Sequence, residues 1–427
     1  MKKARFISCL LMAATATSIC AQGGTKSPYS QYGLGVLENP SQGMSRGMNG
    51  VGLALRNGSQ VNALNPASYS SVDSLTMLFD MGMSSQLTNY KEGGVSRNAS
   101  QANFDYVVGS FRAWKNVGIT FGILPYSNVG YEYKTSTKDS KTGTLTENFQ
   151  GSGGLNQLFI GAGWRVMKPL SVGFNASYLW GNINRTVTPS SSIAANILTK
   201  SYSTTVNNYK LDFGVQWEQP VGKNDNLTVG AVVGIGHNLS NDADMSIISK
   251  NSISNISDTT LFCLSNAMSL PMSFGVGASY CLGRKLTVAA DFTFEKWGAI
   301  EFPVYANQQY VLQKGLLKDR TRIAAGVDWL PKAEWQGSKF LERVHYRFGV
   351  GYVTPYYNIN GHDGPKEFSI SAGFGIPIIN MHNNRSVLNI SGQWVQNTAE
   401  SFITENTFRI NIGLTFNERW FMKFKVD

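Results

Sequence analysis

From about Thr76 to Phe416 this chain repeats one pattern, apolar residues alternating with small or polar ones. The pattern falls into about fourteen segments of roughly 9–11 residues, the length of a tilted strand crossing a hydrocarbon core. The connections between segments alternate long and short. A soluble sandwich has no reason to keep its short turns on one side. A barrel threaded through an outer membrane does, because its periplasmic turns are short and its outer loops long. The expected fold is therefore all-β: a transmembrane antiparallel barrel of about 14 strands.

The termini fit that placement. Met1-Lys2-Lys3-Ala4-Arg5 precedes an apolar run from Phe6 to Ile19, and Cys20-Ala21 follows. A charged start, an apolar stretch and a small residue at the end read as a secretory signal over residues 1–21. Ile19 in place of a small residue argues against lipidation at Cys20. No other stretch has 18 consecutive apolar residues, so no transmembrane helix is expected. The mean hydropathy of −0.15 fits a barrel, since only alternate strand residues face lipid.

Lys2, Lys3 and Arg5 leave with the signal, taking the formal charge from +10 to +7 (10 − 3). The basic residues are scattered, which gives nucleic-acid binding no support. Cys263 and Cys281 lie on either side of one expected strand, at opposite rims, so two free thiols are expected. With no CxxC and no Cys/His cluster, no metal site or cofactor is expected.

Residues 22–74 precede the first strand and are rich in Gly, Ser and Asn. Without strand periodicity this segment cannot lie in lipid, where its backbone groups would be unsatisfied. Its apolar residues (Met44, Met48, Val51, Leu53) favour the lumen, so a plug is expected over 22–74, a barrel over 75–416 and a tail over 417–427. The segments 125–154, 181–206 and 238–269 read as long outer loops. The last strand, with Phe408, Ile410, Ile412, Leu414 and Phe416 on one face, is the type of segment that barrel assembly machinery receives.

Three stretches, taken in order, resemble the FadL/TodX family of outer-membrane transporters for hydrophobic compounds, in the form found in Bacteroidetes-type bacteria. The first is Arg46-Gly47-Met48-Asn49-Gly50-Val51-Gly52 with Asn65-Pro66-Ala67. The second is Gly122-Ile123-Leu124-Pro125-Tyr126-Ser127. The third is Leu270-Pro271, Phe274-Gly275-Val276-Gly277, Leu286 to Phe292 and Trp297. The resemblance implies a monomeric barrel whose lumen is closed by the N-terminal segment. It also implies passive transport of long-chain fatty acids or similar compounds. The ligand would be captured by outer loops, held in an internal pocket and released sideways into outer-membrane lipid. Gly47, Gly50, Asn65, Pro66 and Ala67 would then be plug or gating residues. Asn-Pro-Ala also reads as a plain turn into the first strand, because Pro fixes φ and Asn suits turns.

Alternation places Asp80, Asp291, Glu295, Arg322, Asp328, Arg347 and Arg409 toward the lumen. Arg322 and Arg409 are candidates to receive a carboxylate, since a desolvated guanidinium is shaped for one. The competing reading is a ladder of ion pairs with Asp291 or Glu295. Leu261 and Phe262 in an outer loop are candidates for capturing an acyl chain, or for packing the loop itself. Enzyme signatures are lacking: no His pair at helical spacing, no Gly-x-Ser-x-Gly and no phosphate loop. A different class also stays open, in which the barrel is a protein-docking subunit of a secretion system.

Overall fold

The computed structural model describes residues 25–139, 143–191, 196–251, 253–332, 339–359, 361–379, 385–400 and 402–419. The signal segment 1–21 and the end of the chain from 420 lie outside the described residues. Fourteen antiparallel strands close into a barrel, which is the architecture expected from the alternation.

Six tall strands come first. They are β1 (Thr76–Glu92), β2 (Val95–Trp114), β3 (Val117–Asp139), β4 (Gly143–Arg165), β5 (Leu170–Ser191) and β6 (Asn196–Val221). Five short ones follow: β7 (Asp225–Gly234), β8 (Ser273–Leu282), β9 (Leu286–Glu295), β10 (Arg320–Trp329) and β11 (His345–Val353). Then come β12 (Lys366–Ile379), β13 (Arg385–Thr398) and β14 (Thr404–Arg419), and β14 closes the ring on β1 from Thr76↔Arg419 to Lys91↔Thr404.

Outward positions are mostly apolar and inward positions mostly small or polar, apart from an inward apolar cluster that includes Leu78, Val108, Leu124 and Phe159. On β14, Phe408, Ile410 and Ile412 face out, whereas Asn411 and Thr415 are buried. Trp114, Trp164, Trp217 and Trp329 ring the barrel's outside at one end, as interfacial aromatics do.

Two of the expected long loops are in fact ladder. β3 and β4 stay paired as far as Asp139↔Gly143, and β5 and β6 pair as far as Val187↔Lys200. The third contains a hairpin, Asp242–Asn251 with Ser257–Ser265, whose first strand pairs on the upper part of β6. Beyond the membrane the outward face of a strand meets water and loses its apolar residues. Inward Val129, Tyr131, Ile183 and Val206 are buried against the N-terminal segment and its neighbours, and Thr, Tyr and Val still favour extended backbone. The last strand also runs three residues past Phe416. Cys263, exposed on that hairpin, and Cys281 are both free thiols.

Candidate functional site: a lumen filled by the N-terminal segment

The residues ahead of β1 lie against the inner faces of most strands. They form a short strand (Val36–Leu37), one helical turn (α1, Gly43–Gly47) and a 3-10 turn (Pro66–Ser71). Asn65 begins that turn. Its Oδ1 accepts from the Ala67 N–H at 3.0 Å, and its Nδ2 donates to the carbonyls of Leu53 (2.7 Å) and Val215 (3.2 Å). Asn-Pro-Ala is thus both a capped turn and a contact with the wall. The wall meets it with glycine: a Cβ on Gly173 would stand 2.4 Å from the Pro66 carbonyl carbon, and one on Gly214 2.1 Å from Asn65 Oδ1.

Around α1 the contacts are polar. The Tyr106 hydroxyl donates to Asp80 at 3.2 Å and accepts the Gly43 N–H at 2.8 Å. Arg46 pairs with Asp105 and also donates to Asn411 Oδ1 at 3.0 Å. Asp291 Oδ2 accepts the N–H groups of Gly52 (2.6 Å) and Leu53 (2.9 Å). Gln393 donates to Asn49 Oδ1 at 2.7 Å, and Asn49 donates to Ser369 Oγ at 2.8 Å. Each bond contributes about 0.5–1.5 kcal/mol net, and more where a charge takes part.

Gly47 lies against Arg347, where a Cβ would come 3.0 Å from the Arg347 Cδ. Gly50 has φ of +75° and sits between Asn39 and Arg322, so a side chain there would be strained and crowded.

Arg322 and Arg409 both line a cavity of about 130 Å³, with Arg46, Arg320, Glu38 and Glu405. A second cavity of about 170 Å³ shares Arg320, Arg322, Glu38 and Gly50, and reaches Asp212 and Pro66. Ligand pockets usually measure about 300–1,000 Å³, so neither space holds a long acyl chain in this state. The Arg322 guanidinium donates to the Asn49 carbonyl of the N-terminal segment at 2.6 Å. The ion pair on that wall is made by Arg320 with Glu295, 3.2 Å, two residues away from the candidate. Arg409 donates to Gln86 Oε1 at 3.0 Å.

Leu261 and Phe262 stand apart from these arginines. Phe262 packs edge-on against Tyr305 at 5.6 Å, inside a small cluster of outer hairpins, while Leu261 is 76% exposed on the opposite face of its strand. Above the polar layer is an apolar one, in which Tyr29, Leu34, Val129, Trp297, Tyr356 and Tyr357 pack together.

The wall is interrupted at one place. The β2–β3 ladder stops at Val107↔Ile123, and from there outward β2 pairs only with β1. Tyr126 forms a bulge in β3 just beyond that point, within the 122–127 stretch singled out in the sequence. Residues of the N-terminal segment occupy the freed edge of β3. Val36↔Asn128 and Leu37↔Ser127 pair, and Glu38 N–H donates to the Tyr126 carbonyl at 3.0 Å. On the β2 side, Lys26 Nζ donates to the Ser100 carbonyl at 3.2 Å.

A family model matches the sequence along its whole length, residues 1–427. The chain belongs to the BamG family. No curated protein matches it in sequence. Among solved structures, this BamG-family chain is similar to the CymD monoaromatic hydrocarbon channel: TM-score 0.60, 15% identity, 92% of this chain and 100% of that one. It is also similar to the toluene transporter TbuX of Ralstonia pickettii: TM-score 0.63, 13% identity, 88% and 98% covered. A FadL homologue of Pseudomonas aeruginosa gives TM-score 0.60 at 10% identity, 89% and 99% covered. At such identities the likeness is one of fold, and it is the FadL/TodX fold named from the motifs.

Sequence reasoning quoted Arg46 within a motif but gave it no part in the site, and it gave none to Asp105, Tyr106 or Arg320. Asp105 is a bulge residue: Gly82 pairs with Tyr106 and Met83 with Phe104, which leaves Asp105 over and turned inward beside Tyr106. Strict alternation would have sent it toward lipid. The acidic residue inside an apolar strand was the one available signal.

Proposed function

We propose that this chain works in the cell outer membrane as a passive route for hydrophobic compounds, long-chain fatty acids or similar, with residues 22–74 as its plug. Compounds enter among the outer hairpins, pass the apolar layer around Trp297 and Tyr356, and leave sideways between β2 and β3. The observation that carries this reading is the interrupted ladder, because a closed ring of hydrogen bonds offers an apolar solute no way through the wall. The structural likeness to hydrocarbon channels and to a FadL homologue supports it. The small polar cavities describe a closed state, and the plug must shift before an acyl chain fits. In the open state Arg322 and Arg409 face the space that a carboxylate would take. No catalysis, cofactor or nucleic acid enters this scheme, and a monomer suffices for it.

The test is uptake of labelled long-chain fatty acid and of toluene by cells with the protein, without it, and with Arg322→Ala plus Arg409→Ala. Uptake that requires the protein supports passage. Loss for the fatty acid alone in the double variant supports the carboxylate role. Equal uptake in all three cell types defeats the reading.

A second reading draws on how firmly the plug is bonded around the lumen and on a family name that points toward barrel assembly machinery. Here the barrel is a protein-docking component and the lumen stays closed. Equal uptake, together with defective assembly of other barrels in cells lacking the protein, favours it.

A further inference from the structure

The end of the barrel with short turns carries a ring of unpaired positive charge. Each of the five described turns there has at least one exposed cation: Lys115, Lys168, Lys223, Arg284 with Lys285, and Lys339. None of these six side chains makes an ion pair among the described residues. Two acids at this rim are turned to other donors. Asp225 accepts the Gly283 N–H at 2.7 Å and the Tyr280 hydroxyl at 3.1 Å, and Glu342 accepts the Lys339 N–H at 2.9 Å. At the other end of the barrel, Lys314 and Lys318 have carboxylate partners, Glu301 at 3.6 Å and Asp363 at 2.6 Å. The exposed Lys91, Lys134, Lys138, Lys250 and Lys296 also make no ion pair among the described residues, so it is the adjoining tryptophan belt that sets the short-turn rim apart.

The cations continue a lipid-facing belt. Trp114, Trp164 and Trp217 point outward, 47–68% exposed, one to six residues before Lys115, Lys168 and Lys223, and Trp329, also outward, precedes the turn that carries Lys339. Tryptophan settles at the boundary between acyl chains and headgroups. Charges a few residues further out then stand at the level of the phosphates. Phe340 and Leu341, 60% and 65% exposed on the 3-10 turn after Lys339, add apolar side chains at the same height.

We propose that this rim binds the phosphates of anionic phospholipids in the periplasmic leaflet and thereby fixes the barrel's depth. The proposal rests on the membrane placement argued above but not on what the barrel transports. A basic side chain at an anionic surface contributes about 1 kcal/mol, or roughly a fivefold preference at each site, and salt weakens it.

The experiment uses the mature chain in phosphatidylcholine vesicles containing brominated phosphatidylglycerol, or brominated phosphatidylcholine as control. Quenching of the chain's own tryptophans reports which lipid occupies the belt. The expected result is a preference of about fivefold for phosphatidylglycerol, reduced by high salt. It should fall to about onefold when the six cations become Gln and survive when the five lysines become Arg. Equal quenching by both lipids, or a preference kept in the Gln variant, overturns the proposal. Barrel integrity is followed by heat-dependent gel mobility. A chain that enters no vesicle defeats the membrane placement itself and this proposal with it.

Discussion

The two sides of this barrel are built to different heights. Strands β1–β6 have 17–26 residues, whereas β7–β11 have 9–10. A tilted strand of about 10 residues already spans the hydrocarbon core, so the short side is as tall as the membrane requires. The excess on the tall side meets no lipid. It carries the interrupted ladder, the bulge at Tyr126 and the edge on which Val36 and Leu37 pair. Bilayer thickness therefore sets the height of one side, and contact with the N-terminal segment accounts for part of the other.

The two sides should respond differently to mutation. The largest effect is expected at the foot of the interruption. Asp105 and Arg46 are 10% and 13% exposed, and removing one member of such a pair leaves a buried charge. Asp105→Ala should cost about 3 kcal/mol, the lower end of the range for buried pairs, because Arg46 keeps Asn411 and the Ser41 carbonyl. Urea unfolding in lipid vesicles measures the loss, and trypsin should cut at Arg46 in the folded variant. A variant as stable and as resistant as wild type would mean that the pair does not hold the segment.

Gly173→Ala should cost about 1–3 kcal/mol, since its new Cβ meets backbone at Pro66 that has no rotamer to give way. Gly392→Ala is the matched control, with nothing nearer than 3.7 Å. The same unfolding assay compares them, and equal costs would show that the Asn-Pro-Ala turn is not pressed against the wall. Asn65→Ala should cost about 1–2 kcal/mol, because it removes a turn cap and two bonds to carbonyls. Hydrogen exchange at Ala67 and Ser68 would rise before that of the strands. Unchanged exchange would reduce Asn65 to a passive turn residue.

The legible part of this fold is the part in contact with lipid. Phe408, Ile410 and Ile412 alternate with Asn411 because one face meets acyl chains and the other does not, and a single sequence records that difference. The upper halves of β3–β6 meet water on their outward face, so the lipid-facing half of the alternation is lost and they read as loop, although inward Val129, Tyr131 and Ile183 are buried. The lumen is harder still. Arg320 and Arg322 share a strand face, yet Arg320 takes Glu295 while Arg322 takes a backbone carbonyl, and only three-dimensional register decides between them. Asp105 was hidden by a bulge, which breaks the rule of two on which the reading depends. The Asn-Pro-Ala turn was visible as a motif, but its glycine seat is spread over separate strands.

The smallest effect is expected on the short side's outer loops, and it sharpens the comparison from the other end. Lys318 and Asp363 form a 2.6 Å ion pair with side chains 48% and 49% exposed. Solvent and salt screen such a pair, so Lys318→Ala should change stability by at most about 0.5 kcal/mol. The ratio to Asp105→Ala matters more than either value, because both substitutions remove one member of a well-formed pair and differ mainly in burial. A double-mutant cycle with Asp363→Ala isolates the coupling, and raising salt should erase it. The Arg46–Asp105 coupling should persist in the same salt, since water does not reach that pair freely. If the outer pair proved as costly to break as the inner one, burial would not be what holds the N-terminal segment in the lumen.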